Sequence, residues 1–153
     1  MSRIAIDQGG LHLPTCLLVE DSDEDADTVA EAFRRCGIAG RLQRVSNGDD
    51  CLALLRRAAI PLPALVLMDL STFGIDGRDA LRQMKEDIKL KIVPVVITTA
   101  SANTRDLEFC YSVGANAYHV KPVSHPHHLD AMITLLQYWL GAVTLPIYRV
   151  PSA

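Results

Sequence analysis

Four short segments carry side chains able to do chemistry: LLVED (17–21), VLMDL (66–70), VVITTA (95–100) and AYHVKP (117–122). Each is an apolar run that delivers polar groups at its end: Glu20 and Asp21, then Asp69, then Thr98 and Thr99, then Lys121 before Pro122. Asp23 and Asp25 follow shortly after the first pair. Three carboxylates converging with nothing between them would repel one another and raise each other's pKa. A hard divalent cation such as Mg2+, which takes oxygen ligands and retains water, removes that conflict. The Thr99 hydroxyl and the compact Lys121 ammonium would complete a pocket for a small oxyanion. Taken singly, each residue has a plainer reading: loop acids for Glu20 and Asp21, a turn or helix cap for Asp69, a turn hydroxyl for Thr99, a solvated lysine for Lys121. Their joint placement, each at its own strand end, favours the pocket.

That placement requires elements of the right kind. Residues 1–14 read as a flexible tail ending at Pro14. Strand signals follow at Cys16–Glu20, Leu42–Val45, Ala64–Asp69, Val93–Thr98 and Ala117–Val120. Helical periods fall between them: Asp25–Cys36 with Val29, Ala32, Phe33 and Cys36 on one stripe, then a helix capped by Asn47 or Asp49 with Cys51, Leu52, Leu54 and Leu55 inward. Asp79–Asp87 turns Leu81 and Met84 inward, Thr104–Val113 follows, and His128–Leu140 is the last helix. The continuous apolar run 64–68 suits a strand covered on both faces. Strands alternating with helices through short connections give an α/β fold: a five-stranded parallel sheet, doubly wound, with helices on both faces. In such a sheet ligands bind beyond the carboxyl ends of the strands, where the polar residues sit.

Composition narrows the function classes. The 153 residues, 49% hydrophobic and 22% charged, suit one domain with a sizeable core. A net charge of -3 without a basic stripe argues against direct nucleic-acid contact. No apolar run is long enough to span a membrane, and no signal peptide is visible, so a cytoplasmic location is expected. Cys16, Cys36, Cys51 and Cys110 lack metal-site or disulfide spacing and read as reduced core thiols.

With LLVED, VLMDL, VPVVITTA (93–100) and AYHVKP in place, the chain resembles the receiver domain of two-component response regulators. The intervals of 30 residues from Asp69 to Thr99 and 22 from Thr99 to Lys121 match compact receivers. The resemblance spans about Cys16 to Leu140 and places a receiver over 15–141, with 142–153 as an extension. GRDALRQMKED, ANAYHVKPV and LQYWLGAVTLP are similar to the single-domain receivers that accompany bacterial phytochromes. The resemblance implies that Asp69 accepts a phosphoryl group from a phosphohistidine of a sensor histidine kinase, a bacterial phytochrome. It implies Mg2+ held by Glu20, Asp21, Asp69 and the backbone carbonyl of Ser71. Thr99 becomes the switch hydroxyl, Tyr118 the aromatic that follows it, Lys121 the phosphoryl partner, and Ser71 and Ser101 the neighbours of the hydrolytic water. Such a protein is a phosphoacceptor that dephosphorylates itself rather than a conventional enzyme, and it signals by altered contacts. The alternative is a receiver-like binding module that does not cycle phosphate. An aspartate-nucleophile phosphatase is disfavoured, because a second acid would stand where Ser71 does.

Two features depart from the family or go beyond it. DLSTFG (69–74) has Phe73 where receivers carry proline, and Ser71 where asparagine is common, which suggests an altered lifetime of the phosphorylated state. In the last helix, Leu129, Met132, Ile133, Leu136, Trp139 and Leu140 share a face, leaving Leu135 and Tyr138 for another. The surplus is either a wide core stripe or a self-association surface. A dimer through Leu136, Trp139, Leu140, Leu145, Ile147 and Tyr148 is expected, since the tail has nothing else to bury it. His125, His127 and His128 are expected to be solvated rather than metal ligands, and His119 to line the sheet or an output face.

Overall fold

The computed structural model describes residues 6–7, 10–11, 14–57, 61–72 and 76–146. Its main sheet has five strands: β1 (Thr15–Val19), β2 (Arg41–Val45), β3 (Leu65–Met68), β4 (Val95–Thr99) and β5 (Ala117–Val120). All pair in parallel in the order β2-β1-β3-β4-β5. Five helices connect or follow them: α1 (Asp23–Arg35), α2 (Gly48–Leu55), α3 (Gly77–Glu86), α4 (Thr104–Val113) and α5 (His125–Gln137). Upstream, Ile6–Asp7 pairs antiparallel with Gly10–Leu11, inside the stretch read from sequence as a loose tail.

The alternation of strand side chains divides the core in two. Leu17, Val19, Val66, Met68 and Ile97 face α2, α3 and α4, meeting Leu52, Leu81, Met84 and Cys110. Cys16, Leu18, Leu65, Leu67 and Val96 face α1 and α5, meeting Val29, Ala32, Met132 and Leu136. Central β3 is fully buried along its length, which is why its sequence is apolar without alternation. Edge strand β2, with Arg41, Gln43 and Arg44 exposed, has the polar character that discourages pairing with another sheet. All four cysteines are free and buried. Burial pushes the Cys16 and Cys51 thiols up to about 12, so they behave as apolar filler rather than nucleophiles.

Capping residues move several boundaries from where periodicity alone puts them. Helix α1 starts two residues early because Ser22 Oγ accepts from the Asp25 N–H at 3.2 Å, drawing Asp23 and Glu24 into the first turn. Asp76 does the same for α3, accepting from the Arg78 and Asp79 N–H groups. Asn47 caps α2 through a 2.8 Å bond from the Asp50 N–H. Helix α5 starts at His125, with a proline in its first turn, where a missing N–H costs nothing. It passes at Tyr138–Ala142 into a π-helical turn.

Helix α5 decides one open reading and corrects one expectation. Leu135 is buried in the α1/α5 half of the core, so the inward stripe runs His128, Met132, Leu135, Leu136, Leu140; of the two residues assigned to another face, only Tyr138 is exposed. His128, expected to be solvated, is buried, and among the described residues its Nε2 is a buried side-chain nitrogen without a hydrogen-bond partner. Residue 128 stands one turn before Met132, on the same face of the helix. Burial lowers its pKa; Asp25 of α1 opposes that, while Lys121 beyond β5 and His125 of the same helix add to it.

A histidine whose folded pKa lies below its unfolded value of 6.5 binds its proton first in the unfolded chain. Its contribution to stability is therefore present above pH 6.5 and lost as pH falls towards the folded pKa. Urea unfolding of the wild type should lose stability from pH 7 to pH 5 more steeply than that of His128→Leu, by up to about 1.4 kcal/mol per pH unit. Parallel curves for the two proteins would refute this account.

Candidate functional site

The strand ladder continues one step past the ends of β1, β3 and β5, and that step holds the site. The Glu20 N–H donates to Val45 O at 3.0 Å, the Asp69 N–H to Val19 O at 3.0 Å, and the Lys121 N–H to Thr99 O at 2.7 Å. Backbone pairing thus aims four side chains at one edge of the sheet. Glu20, Asp69 and Thr99 are buried, and the Lys121 side chain is only 8% exposed.

Lys121 Nζ donates to Glu20 Oε2 at 2.8 Å, to Asp25 Oδ2 at 2.8 Å and to Asp69 Oδ2 at 3.0 Å. The other Asp69 oxygen, Oδ1, accepts from the Ser71 N–H at 3.1 Å. Burial works to lower the Lys121 pKa, but the hydrogen bonds to Asp25 and Glu20 and the charge of Asp69 outweigh it and raise it, so the ammonium stays charged. Burial pushes Glu20 up to about 7; Lys121 opposes this and Asp69 adds to it. One ammonium is shared among three carboxylates, so surplus negative charge remains, and the most deeply buried acid has the strongest claim on a proton.

Glu20, Asp21 and Asp69 each offer a carboxylate oxygen, all within 4.8 Å of one another. An all-oxygen donor set with one half-buried member open towards solvent suits a hard divalent cation and not a thiolate- or imidazole-seeking metal. The residues present therefore fit the ion that the sequence implied. Ser71 lies at the rim with its side chain exposed.

On the other side of β4, Thr99 Oγ1 accepts from the Ser101 N–H at 3.2 Å. Ser101 Oγ donates to Asp106 Oδ2 at 2.7 Å, and the Tyr118 hydroxyl donates to Ser101 O at 2.8 Å. Arg78 of α3 closes this loop, with Nε donating to Asp106 Oδ1 at 2.8 Å; that guanidinium and the Ser101 hydroxyl hold the Asp106 carboxyl below its ordinary range. Thr99 and Tyr118 are thus joined through the backbone of Ser101. Arg78 and Asp106, which tie that segment to α3, were not singled out in the sequence, where nothing marks a pair 28 residues apart.

Gly77 was also missed as a site residue. Its N–H donates to Leu70 O at 2.9 Å, and a Cβ there would stand 2.2 Å from Asp69 O and 2.7 Å from Leu70 Cα. The start of α3 therefore rests directly on the backbone that carries Asp69. The only sequence signal was a glycine where a helix begins. Phe73 lies outside the described residues, as do Ile147 and Tyr148. Leu136 and Leu140 face the chain's own core and cannot supply a dimer surface; Trp139 and Leu145 are half-buried against the same core.

Residues 16–134 match the response regulator receiver domain family. The chain belongs to that family. This receiver is 36% identical over 128 residues to the probable methanogenesis regulatory protein FilR2 of Methanothrix harundinacea, covering 82% of this chain and 83% of that protein. It is 33% identical over 134 residues to the response regulator Rcp1 of Synechocystis, covering 85% and 91% respectively. The Mn2+-bound crystal structure of Rcp1 superposes with a TM-score of 0.84, over 88% of this chain and 99% of that one. The phosphorylated cyanobacterial phytochrome response regulator RcpA superposes with a TM-score of 0.85 at 29% identity, over 89% and 100%. The receiver is thus related to phytochrome response regulators. Among its described residues, no helix is long and apolar enough to cross a membrane.

Gly77→Ala should cost about 2 kcal/mol or more, because the clash is with backbone that has no rotamer to change. It should also weaken divalent-cation binding by displacing Asp69. Denaturant unfolding and a Mn2+ titration measure the two effects, and wild-type values in both would show that the loop yields.

Proposed function

We propose that this receiver accepts a phosphoryl group on Asp69 from a phosphohistidine of a sensor histidine kinase. The observation that carries the reading is the buried Asp69 carboxylate, with Lys121 Nζ 3.0 Å from Oδ2 and with Glu20 and Asp21 within reach as partners for a cation. Mg2+ is the proposed ion, held by Glu20, Asp21, Asp69 and the Ser71 carbonyl; when bound it supplies charge neutralisation for the transferring oxygens. An Asp69 oxygen attacks phosphorus, the new O–P bond forms as the P–N bond breaks, and the electron pair returns to the donor imidazole. Lys121 exchanges its contact with Asp69 for one with the transferred group, a charge-assisted bond in a largely buried site. Thr99 turns its hydroxyl from the Ser101 N–H towards the phosphoryl oxygens. That movement loosens the loop whose Ser101 carbonyl holds Tyr118, and so biases the surface around β5. Ser71 and Ser101 flank the route of the hydrolytic water.

The likeness to RcpA and Rcp1 supports a bacterial phytochrome as the kinase, and a cytoplasmic location goes with that partner. Incubation of the full chain with the autophosphorylated kinase should label the wild type in the presence of Mg2+. Labelling should fall at least about 100-fold on chelation or with Asp69→Asn, since positioning and charge neutralisation are nearly all the chemistry available. Label transfer that ignores both changes would point to a binding module instead.

Self-association is proposed through the exposed Tyr138, the half-buried Trp139 and Leu145, and the extension carrying Ile147 and Tyr148. Light scattering should give the mass of a two-fold dimer, and Tyr138→Glu should shift it towards the monomer. A monomer mass for the wild type, with and without phosphorylation, would remove this part of the proposal.

A further inference from the structure

Asp25 stands outside the carboxylate trio able to hold a cation, yet it binds Lys121 as closely as any member of it. Its Oδ2 accepts from Lys121 Nζ at 2.8 Å, equal to the Glu20 bond and shorter than the 3.0 Å bond to Asp69. An ammonium has three N–H donors, and Glu20, Asp25 and Asp69 take one each. The three partners differ in what else is asked of them. Asp69 is the attacking group and must release Lys121 as its oxygen bonds to phosphorus. Glu20 shares its charge with the cation. Asp25, reaching in from the first turn of α1, has neither duty.

We infer that Asp25 is a positioning residue for phosphoryl transfer, anchoring Lys121 on the α1 side of the pocket while the ammonium exchanges Asp69 for the transferred group. This rests on the reading of Asp69 as phosphoacceptor. The anchor is itself fixed: Ser22 Oγ accepts from the Asp25 N–H, and the carbonyls of Val45 in β2 and Thr99 in β4 hold the backbones of Glu20 and Lys121. Without Asp25, Lys121 keeps only partners inside the cation trio. It is then drawn in among the carboxylates, where it competes with the cation for Glu20 and Asp69. A neutral amide keeps the shape but removes the negative charge, so the ion pair with Lys121 is reduced to a single-charge hydrogen bond. A longer acid at the same position keeps the bond.

Two measurements on the full chain test this. The first is the rate of phosphorylation by acetyl phosphate at saturating Mg2+, in Asp25→Asn, Asp25→Glu, Lys121→Met and the Asp25→Asn/Lys121→Met pair. Asp25→Asn should be about 10-fold slower than wild type, since a small misplacement of a catalytic group is costly. Asp25→Glu should recover most of that loss, and Asp25→Asn should add almost nothing once Lys121 is gone. Equal slowing with and without Lys121 would overturn the inference, because Asp25 would then act by another route. The second is labelling of the Lys121 amine by acetic anhydride, read by mass spectrometry, which needs no phosphoryl transfer. Asp25→Asn should label several-fold faster, and unchanged labelling overturns the anchor even if Asp69 accepts phosphate. A wild type inert to acetyl phosphate, with Asp25-dependent protection of Lys121, would instead overturn the function proposed for Asp69 and leave the anchor standing.

Discussion

The Lys121 ammonium is the contact on which the site depends. Glu20, Asp25 and Asp69 all bond to its Nζ, at 2.8, 2.8 and 3.0 Å, and two of these three acids are buried. Two like charges about 4 Å apart at a half-dry protein edge repel by roughly 4 kcal/mol. Several such pairs would spread the strand ends apart or force protons onto the carboxylates. A single lysine does not balance so many acids. Burial raises the Glu20 pKa and the Asp69 charge adds to it, while the all-oxygen donor set of Glu20, Asp21 and Asp69 suits a divalent cation.

Holding like charges together requires a frame that does not relax, and the parallel sheet supplies one. Glu20, Asp69 and Lys121 are each fixed by a backbone hydrogen bond to the neighbouring strand, so their separation is set by strand spacing and not by side-chain choice. Behind them β3 is wholly buried, with Leu65 and Leu67 facing one helical layer and Val66 and Met68 the other. Truncating Leu65, Leu67 or Met68 to alanine would cost roughly 2–5 kcal/mol and leave a cavity beside the strand that carries Asp69. Gly77 completes the frame from the opposite side, where the absence of a Cβ lets α3 start against the Asp69 carbonyl.

The fold and the acidic edge were legible because both are written in short-range patterns. An apolar strand that stops at a carboxylate reads the same in one dimension as in three, and Glu20, Asp69, Thr99 and Lys121 were found that way. Boundaries shifted where a side chain, rather than the hydrophobic period, decided them: Ser22 and Asp76 each drew a helix start towards the N-terminus. Leu135 falls in the wide core stripe that the sequence leaves open beside a self-association surface, because a helix packed between a sheet and α1 buries a wider stripe than a surface helix. His128 was taken as solvated because its neighbours His125 and His127 are, although residue 128 alone of the three falls on the inward stripe. Asp25 was seen as a nearby acid, but its partner is 96 residues away and no local pattern pairs them. Gly77 is required by a backbone atom of another segment, a constraint that leaves no trace in composition or period.

The resting arrangement also explains how one site can hold still and yet respond. With all three Lys121 donors engaged, an arriving oxyanion gains no hydrogen bond from the ammonium until one bond is surrendered. The bond to Asp69 is the longest of the three, and it is the one whose acceptor would change character when an oxygen becomes esterified. Thr99 Oγ1 accepts from the Ser101 N–H, so a turn of that side chain frees the segment whose Ser101 carbonyl holds Tyr118. The Lys121 ammonium is therefore already spending its hydrogen bonds on the resting state. Under the proposed function, exchange of partners rather than creation of new ones would link phosphorylation of Asp69 to the surface around β5, and would keep the free-energy difference between the two arrangements small enough to reverse.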